Sequence, residues 1–417
     1  MTAGRLILLS GTLILLVASL LFPPGAQAAG KTVYVGGTMS LTGPYAEDSA
    51  ATLAGYEDYV KYVNETKRLA PWRSEGWPAD INIELLWRDD ELKPAKALSI
   101  YEELKAKGIL VYRISGSPIA LALKDRLAQD GYGAPSMATG AFLMTPPATI
   151  LTYYPIYTDC MAAVADWFRA NWKESRKPRA AYLTADNAMG KSIEVPEMSA
   201  YLKETGYEIV GTQYVPLTPV SPPTTELMWL KQNKVDLALG VMVIQGTQST
   251  VKEMVRLDMG PNRGFKMVFA TAHPTHIVQF AEGMGELGDG FVNAGGPPPW
   301  DGAEPGAKFA VELQKRYHPA KWVNATQYMG GVIEVMTQIE ALRLAMLQTS
   351  LEKLKPIDVL NNGFFKIKNL DTGGMSATPL TYTRGKIEGV DSVRVDQQQK
   401  DKVVKLGFWS CRHLYTH

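Results

Sequence analysis

Short apolar runs alternate with longer amphipathic stretches through the first third of the chain. The runs are predicted strands, Thr32–Ser40, Ile81–Trp87, Ile109–Ile114 and Ala134–Thr139. Between the first two runs, apolar residues recur at helical spacing, as at Leu53, Tyr56, Val60 and Val63. No hairpin signal separates the runs, and parallel strands need a crossover, which is usually a helix. The pattern therefore predicts a parallel sheet covered by helices on both faces.

The same alternation runs a second time between residues 153 and 270. The predicted strands here are Arg179–Thr184, Glu208–Val215, Val235–Met242 and Lys266–Ala270. The predicted helices are Asp159–Trp172, Lys191–Thr205, Thr224–Gln232 and Thr247–Leu257. Two α/β units of similar size follow from this repetition.

Beyond residue 275 the pattern changes. A strand is predicted at Gly290–Ala294, and two long helices follow at Pro305–Tyr317 and Thr326–Leu347. The tail then combines Gly turns with short strands, Gly363–Lys368 and Ser392–Val395. Such a tail is typical of a small antiparallel finish to an existing domain.

The N-terminus is different in kind from the rest of the chain. Arg5 precedes the apolar run Leu6–Phe22, then a Pro-Pro-Gly breaker and the motif Ala26-Gln27-Ala28. This order is typical of a secretory signal peptide, cut after Ala28, which predicts a periplasmic protein. An uncleaved membrane anchor is the alternative, because the apolar run is nearly long enough to span a bilayer.

Composition narrows the function classes. The 417 residues are 46% hydrophobic and 20% charged, with a net charge of +1. This is ordinary globular composition, without a basic stripe for nucleic acid or a second long apolar run for a membrane. The sequence shows no nucleophile elbow, phosphate-binding loop or zinc-spaced Cys/His set, so we expect no enzyme activity, cofactor or metal. Cys160 and Cys411 either pair or remain two separate thiols.

One strand-to-helix junction is chemically distinctive. The run Ile109–Ile114 breaks at Ser115-Gly116-Ser117, and Pro118 then opens a helix. Ser117 suits the N-cap and Pro118 suits the next position, where a missing N–H costs nothing. Such a junction offers free backbone N–H groups, hydroxyls and the positive helix end to a carboxylate. The simpler interpretation is an ordinary capped helix.

In open parallel sheets, ligands bind beyond the carboxyl ends of the strands. Loops of the first unit at that edge are rich in hydroxyls and glycine, whereas those of the second unit are more apolar. If the two units face each other, the cleft suits a small organic solute with a charged end. The candidate ligand-binding residues are Ser40, Tyr45, Ser115, Ser117, Ala138, Thr139, Gly140, Met189, Ile244 and His273. His273 and His276 could share a metal, but Pro274 lies between them and no paired acid is evident, so none is expected.

Several of these segments together carry a family resemblance. They are Ser40–Ala46 (Ser-Leu-Thr-Gly-Pro-Tyr-Ala), Asp89-Asp90 before a proline-started helix, the Ser115–Ser117 turn, Ala138-Thr139 and Gly389–Val395. In this order the chain, from about Thr32 onward, resembles the substrate-binding proteins of ABC transporters. The specific resemblance is to the branched-chain amino acid (leucine/isoleucine/valine-binding) family.

The resemblance implies a type I periplasmic binding fold, in which two Rossmann-like lobes joined by a three-stranded hinge close on the ligand. It implies one lobe from residues 29–150 and 275–378, and the other from 151–274 and 379–417. The turns at Ser115–Ser117 and Ala138–Gly140 would hold the ligand carboxylate and part of its ammonium. Met189 stands nearest the position where relatives place a closing tyrosine. Relatives commonly place an acid near the position of His273, and its absence here brings solutes without an amine into competition.

The implied function is capture of a small carboxylate- or amide-bearing solute and its delivery to an inner-membrane ABC permease, by a monomer. The alternative is a periplasmic sensor that uses the same clamp to signal to a partner receptor. A hydrolase acting on an amide or ester is a third and weaker interpretation.

Overall fold

The computed structural model describes residues 30–319 and 325–415. The predicted signal peptide, residues 1–28, lies outside the described residues. Within the described ranges, no helix has both the length and the apolar character needed to cross a membrane.

The first sheet is built from the first predicted unit. Strands β1 (Lys31–Met39), β2 (Ile81–Asp89) and β3 (Val111–Arg113) are parallel in the order β2-β1-β3. A bridge from Ile114 to Ser136 continues the sheet to β4 (Ala134–Ser136), which pairs in parallel with β5 (Ile150–Thr152). Helices α1 (Ala46–Thr66), α2 (Pro94–Ala106) and α3 (Ser117–Asp130) make the connections. We call this sheet and its helices the first lobe.

The second sheet has seven strands in the order β12-β11-β10-β9-β8-β6-β7. They are β6 (Arg179–Ala185), β7 (Glu208–Val215), β8 (Leu237–Gly240), β9 (Val268–Ala272), β10 (Val292–Ala294), β11 (Ser392–Gln399) and β12 (Lys402–Ser410). All neighbours are parallel except β11, which runs antiparallel to both β10 and β12. This sheet and its helices form the second lobe.

The helices of the second lobe are α4 (Tyr157–Asn171), α5 (Ala188–Lys191), α6 (Pro196–Glu204), α7 (Thr224–Gln232), α8 (Ile244–Arg256) and α9 (Ile277–Met284). One predicted helix, Lys191–Thr205, is interrupted at residues 192–195, because the short α5 ends at Lys191 and the chain restarts a helix at Pro196, which the sequence marks as a local irregularity. Proline lacks the N–H that an interior helical position would donate, so it fits only the first turn of α6.

Two long helices and one short helix return the chain to the first lobe. They are α10 (Pro305–Tyr317), α11 (Ala325–Met346) and α12 (Pro356–Asp358), and α11 packs along α1. The predicted strand Gly363–Lys368 is wrong, because residues 359–366 form π and 3₁₀ turns that pack on α11. Phe364 is fully buried there against Gly133, so the alternation of apolar and polar residues reflects helical turns rather than a paired strand.

The chain passes between the lobes three times, after β5, after β10 and before β11. At two of these crossings the strands are bonded together, since Thr152 N donates to Ile387 O at 2.9 Å and Gly389 N donates to Thr152 O at 2.8 Å. The second crossing follows β10, about 20 residues later than the predicted return to the first lobe at residue 275. Strand β10 is instead paired with β9 in the second sheet, because α9 completes one more strand–helix–strand unit there.

Candidate functional site

A cavity of about 50 Å³ lies between the lobes, with walls from both. A single water needs about 10–15 Å³ measured in this way, so the space suits a few waters or a small solute. From the first lobe, α1 contributes Asp48, Ser49 and Thr52, and the segment joining β3 to α3 contributes Arg113 and Ser115–Ser117. The facing residues of the second lobe are Tyr157, Met189, Val243 and Pro274.

Five of the ten sequence-predicted residues line this cavity: Tyr45, Ser115, Ser117, Ala138 and Met189. The other five do not. Ser40, Thr139, Gly140 and His273 are buried behind the walls, and Ile244 lies at an outer opening beside Gln248 and Gln279. The rule that ligands bind beyond the carboxyl ends of parallel strands predicted the correct loops. Which side chain of each loop points into the cavity depends on packing.

Several residues that line the cavity were not among the predicted site residues. Asp48 and Thr52 are four apart and so share one face of α1, and Gln327 reaches the same wall from α11. Thr52 Oγ1 donates to Gln327 Oε1 at 3.1 Å, which ties the two helices together beside the cavity. Arg113 was detectable, because a charged residue inside a buried apolar run is rarely there without a partner or a function.

The Asp90 carboxylate decides the direction in which two hydroxyls of the first lobe donate their hydrogen bonds. Its Oδ1 accepts from Ser40 Oγ at 2.6 Å and from Leu92 N at 2.8 Å, while Oδ2 accepts from Ser115 Oγ. The Ser115 proton is therefore committed to Asp90, and the Ser115 oxygen can only accept from a solute. In this arrangement the Ser115 hydroxyl donates to Asp90, so at this turn Ser117 and the backbone N–H groups are the donors that face the cavity.

Ser117 is the first residue of α3 rather than its N-cap. The cap is Gly116, whose backbone is extended, and no side chain makes a capping hydrogen bond. The Ser117 hydroxyl is consequently free of the helix end and faces Tyr157. Burial raises the pKa of Tyr157 to about 12, against the opposing effect of hydrogen bonds with Thr139 and Ser117. The Tyr157 hydroxyl thus remains protonated at neutral pH, and the hydrogen bond between the two hydroxyls leaves one of their two protons for a solute.

A buried positive charge lies at the cavity. The side chain of Arg113 is 4% exposed, and its Nη1 donates to Thr38 O at 2.8 Å. Its Nε lies 3.5 Å from Glu334 Oε1, which is wholly buried behind it and also accepts from Tyr153 through Oε2. Burial raises the pKa of Glu334 to about 7, although Arg113 opposes the shift. The guanidinium of Arg113 therefore lies next to Glu334 on one side and lines the cavity on the other.

The lobes touch one another around the cavity, as in a closed clamp. Tyr45 Oη contacts Met189 Sδ at 3.7 Å, and His276 Nε2 lies 3.3 Å from Asp48 Oδ1 and 2.8 Å from Gln327 Nε2. Asp48 also brings a carboxylate to the cavity from α1. The family resemblance had pointed only to the position of His273, where relatives have an acid and this chain has none.

His273 belongs to the core behind the site. Its Nε2 bonds to Thr139 Oγ1 across the lobes at 3.0 Å, and its ring packs on Tyr154 and Tyr157 at centroid distances of 5.0 and 5.2 Å. Only its neighbour Pro274 reaches the cavity. We therefore expect His273→Ala to reduce stability more than it changes solute preference.

The burial of His273 predicts a pH effect on stability. Burial, with a smaller contribution from His276, lowers the pKa of His273 from 6.5 to about 3. The unfolded chain binds this proton first, so stability is lost as pH falls from about 6.5 toward 3, by about 2 kcal/mol at pH 5. Urea unfolding from pH 7 to 4 should show a shallower decline in His273→Gln than in the wild type. Parallel curves would contradict the assignment of a neutral, buried imidazole.

The comparisons with known proteins agree with this two-lobed fold. A family model described as a periplasmic binding protein matches residues 32–375. A search of curated proteins found no significant match.

Several solved structures are similar in fold at low sequence identity. A branched-chain amino acid ABC transporter protein of Thermus thermophilus with bound valine is 19% identical, with a TM-score of 0.80 over 93% of this chain and 98% of that one. A fatty acid ABC transporter substrate-binding protein of Thermomonospora curvata is 18% identical, with a TM-score of 0.76 over 92% and 94%. A solute-binding protein of Rhodopseudomonas palustris BisB5 in complex with 3,4-dihydroxybenzoic acid is 18% identical, with a TM-score of 0.71 over 91% and 98%.

The family match spans most of the sequence, and the two-lobed architecture with three crossings agrees with it. On these grounds the chain belongs to the periplasmic binding protein family, with the type I fold.

Proposed function

We propose that this protein is the extracytoplasmic solute-binding component of an ABC importer. It captures a small carboxylate-bearing solute between its lobes and delivers it to an inner-membrane permease. The observation that carries the proposal is the cavity between the lobes, with Arg113 and Ser117 on one side and Met189 and Val243 on the other. Family membership supports the extracytoplasmic location.

The donors at the cavity favour an anionic group. Arg113 supplies a buried positive charge, Ser117 and Tyr157 supply hydroxyls, and the start of α3 supplies the positive end of a helix. Two of the similar structures named above are described with valine and with 3,4-dihydroxybenzoic acid, and the third as part of a fatty acid transporter; all three compounds carry a carboxylic acid group. The cavity of about 50 Å³ favours a short solute over a long acyl chain.

Two acceptors at the cavity favour a second polar group on the solute besides its carboxylate. Asp48 could receive an ammonium, although it already lies beside His276, and the Ser115 oxygen could accept from an amine or an amide N–H. An amide-bearing solute is therefore the competing class. The apolar side chains of Met137, Met189 and Val243 favour an aliphatic or aromatic body.

A solute screen tests the proposal directly. Thermal-shift assays with amino acids, aromatic acids, short dicarboxylates and urea-like amides should show one class raising Tm, since a ligand bound only by the folded state stabilises it. Calorimetry would then give Kd for the best solute. Co-purification with a permease complex from membranes would support delivery, whereas capture of a receptor kinase would support the sensor alternative.

Two serine variants then test the anchor. Ser117→Ala should weaken carboxylate binding by about 1.5–3 kcal/mol, because it removes a hydrogen bond to a charged group. Ser115→Ala should cost less affinity, because that hydroxyl donates to Asp90 rather than to the solute. Ser99→Ala, on the exposed face of α2, is the matched control and should leave Kd unchanged. Unaltered affinity in Ser117→Ala, measured by calorimetry, would show that the carboxylate binds elsewhere.

A further inference from the structure

A second cluster of reactive side chains lies where the C-terminal segment meets the hinge. Asp159 stands in the first turn of α4, Glu388 in the third crossing, and Cys411 and His413 just after β12. The side chains of Asp159 and Glu388 are 0% and 2% exposed, and Cys411 is buried. None of these four residues lines the solute cavity.

Three of these side chains converge on one point, and His413 lies beside two of them. One ligand atom each from Asp159, Glu388 and Cys411 lies within 4.8 Å of the other two. His413 Nδ1 lies 3.0 Å from Glu388 Oε2 and 4.0 Å from Asp159 Oδ2. In a tetrahedral zinc site with bonds of about 2.0–2.3 Å, neighbouring ligand atoms are about 3.3–3.7 Å apart. The separations of up to 4.8 Å among Asp159, Glu388 and Cys411 exceed this spacing by about 1 Å, and His413 would have to move toward Cys411 to complete the set.

The charges of the cluster favour a cation. Two buried carboxylates meet a thiol, and His413 is the one basic side chain that contacts them among the described residues. Buried carboxylates carry a large desolvation cost unless they are paired or coordinate a metal. Backbone N–H groups of His413, Leu414 and Ile156 donate to three of the four carboxylate oxygens, which leaves each of those oxygens a second lone pair.

We propose that Asp159, Glu388, Cys411 and His413 form a binding site for a divalent transition-metal ion, of which Zn²⁺ fits best. Zinc accepts sulfur, nitrogen and carboxylate oxygen donors in a four-coordinate site, whereas Mg²⁺ and Ca²⁺ prefer oxygen alone. Binding would release the thiol proton of Cys411 and replace the hydrogen bond between His413 and Glu388.

The site would have a structural consequence. The His413 side chain is 41% exposed, so an ion has a route to the buried carboxylates from solvent. A bound ion would join α4, the third crossing and the C-terminal segment, which hydrogen bonds already connect at this point. It would stabilise the hinge region without touching the solute.

The test uses the mature chain without a histidine tag. Protein stripped with chelator is titrated with ZnCl₂ and, in parallel, with MgCl₂, and Tm and bound metal are measured. We expect one zinc ion per chain, a rise in Tm with Zn²⁺ but not with Mg²⁺, and a cobalt derivative with a thiolate-to-metal charge-transfer band in the near ultraviolet. Cys411→Ser should abolish that band and weaken zinc binding by at least about 100-fold, since even outer-shell changes cost about 10–100-fold.

Matched measurements separate this site from adventitious binding. His318→Asn alters another histidine that lies beside a carboxylate, Asp58, and should bind zinc as the wild type does. The proposal is overturned if the wild type binds no stoichiometric zinc, or if Cys411→Ser leaves zinc affinity and the cobalt spectrum unchanged. It is equally overturned if thiol titration shows Cys411 oxidised in a disulfide with Cys160, because the thiolate ligand would then be lost.

Discussion

Arg113→Met is expected to lower the free energy of unfolding by about 3–5 kcal/mol at pH 8, because it leaves the charge of Glu334 buried without its counter-ion. The two side chains are 4% and 0% exposed, so solvent cannot replace the lost partner. In the wild type the pKa of Glu334 is already raised to about 7, above its usual value of 4.5. Stability contributed by the protonated carboxyl is therefore present below pH 4.5 and is lost as pH rises through 7. Removing Arg113 extends that loss to higher pH.

A double variant separates the contribution of Arg113 to protein stability from its contribution to solute binding. Arg113→Met with Glu334→Gln should recover much of the lost stability, since no unpaired charge remains. It should not recover solute affinity, because the positive charge at the cavity is still absent. Urea unfolding at pH 5 and pH 8 measures the first effect, and calorimetry with the solute measures the second. A deficit in Arg113→Met that is equal at both pH values would contradict the ion-pair argument.

Gly331→Ala is expected to cost about 3 kcal/mol of stability, at the upper end for added volume in a packed core. A Cβ at this position would lie 2.2 Å from Thr52 O on α1, and both atoms belong to rigid helices. Alanine gains about 1 kcal/mol of helix propensity over glycine, which is too little to offset the clash. The helices must move apart, and α1 carries Asp48 and Thr52 while α11 carries Gln327. Solute affinity should therefore fall together with stability.

A glycine in an open loop provides the matched control. An added Cβ at Gly385 meets no atom within 4 Å, and its backbone is not left-handed. Gly385→Ala should be neutral or stabilise slightly, by less than about 1 kcal/mol, through the unfolded chain. Thermal unfolding and calorimetry of both variants test the comparison. A wild-type Tm in Gly331→Ala would show that the α1–α11 contact is looser than the structure indicates.

Sequence patterns predicted most of the strands and helices of both lobes. Runs such as Glu208–Val215 and Thr224–Gln232 match β7 and α7 residue for residue, because each is bounded by clear turn or proline signals. Predictions failed where a local pattern fits two structures. Gly363–Lys368 alternates like a strand but has no neighbouring strand to pair with, and it packs as turns against α11 instead.

At the site, loops were easier to predict than contacts. The turn Ser115–Ser117 was found at the cavity wall as expected from the strand-to-helix break. The loss of Ser115 as a donor was not predictable, because it depends on Asp90, a residue 25 positions earlier whose carboxylate is brought to the same point by β2. Gln327 was missed for the same reason, because its place at the cavity depends on the packing of α11 against α1, whereas the charge of Arg113 inside an apolar run was a signal that the sequence did carry.

The sequence by itself determined the alternation of strands and helices, the repetition of the unit and the turns that border a cleft. Those features are local, since periodicity, proline and glycine act over a few residues. Tertiary structure alone decided that β10 joins the second sheet, that His273 lies behind the wall and that Asp48, Arg113 and Gln327 reach the cavity. Those outcomes depend on desolvation and on contacts between residues distant in sequence, whose free energy exists only after the lobes have packed.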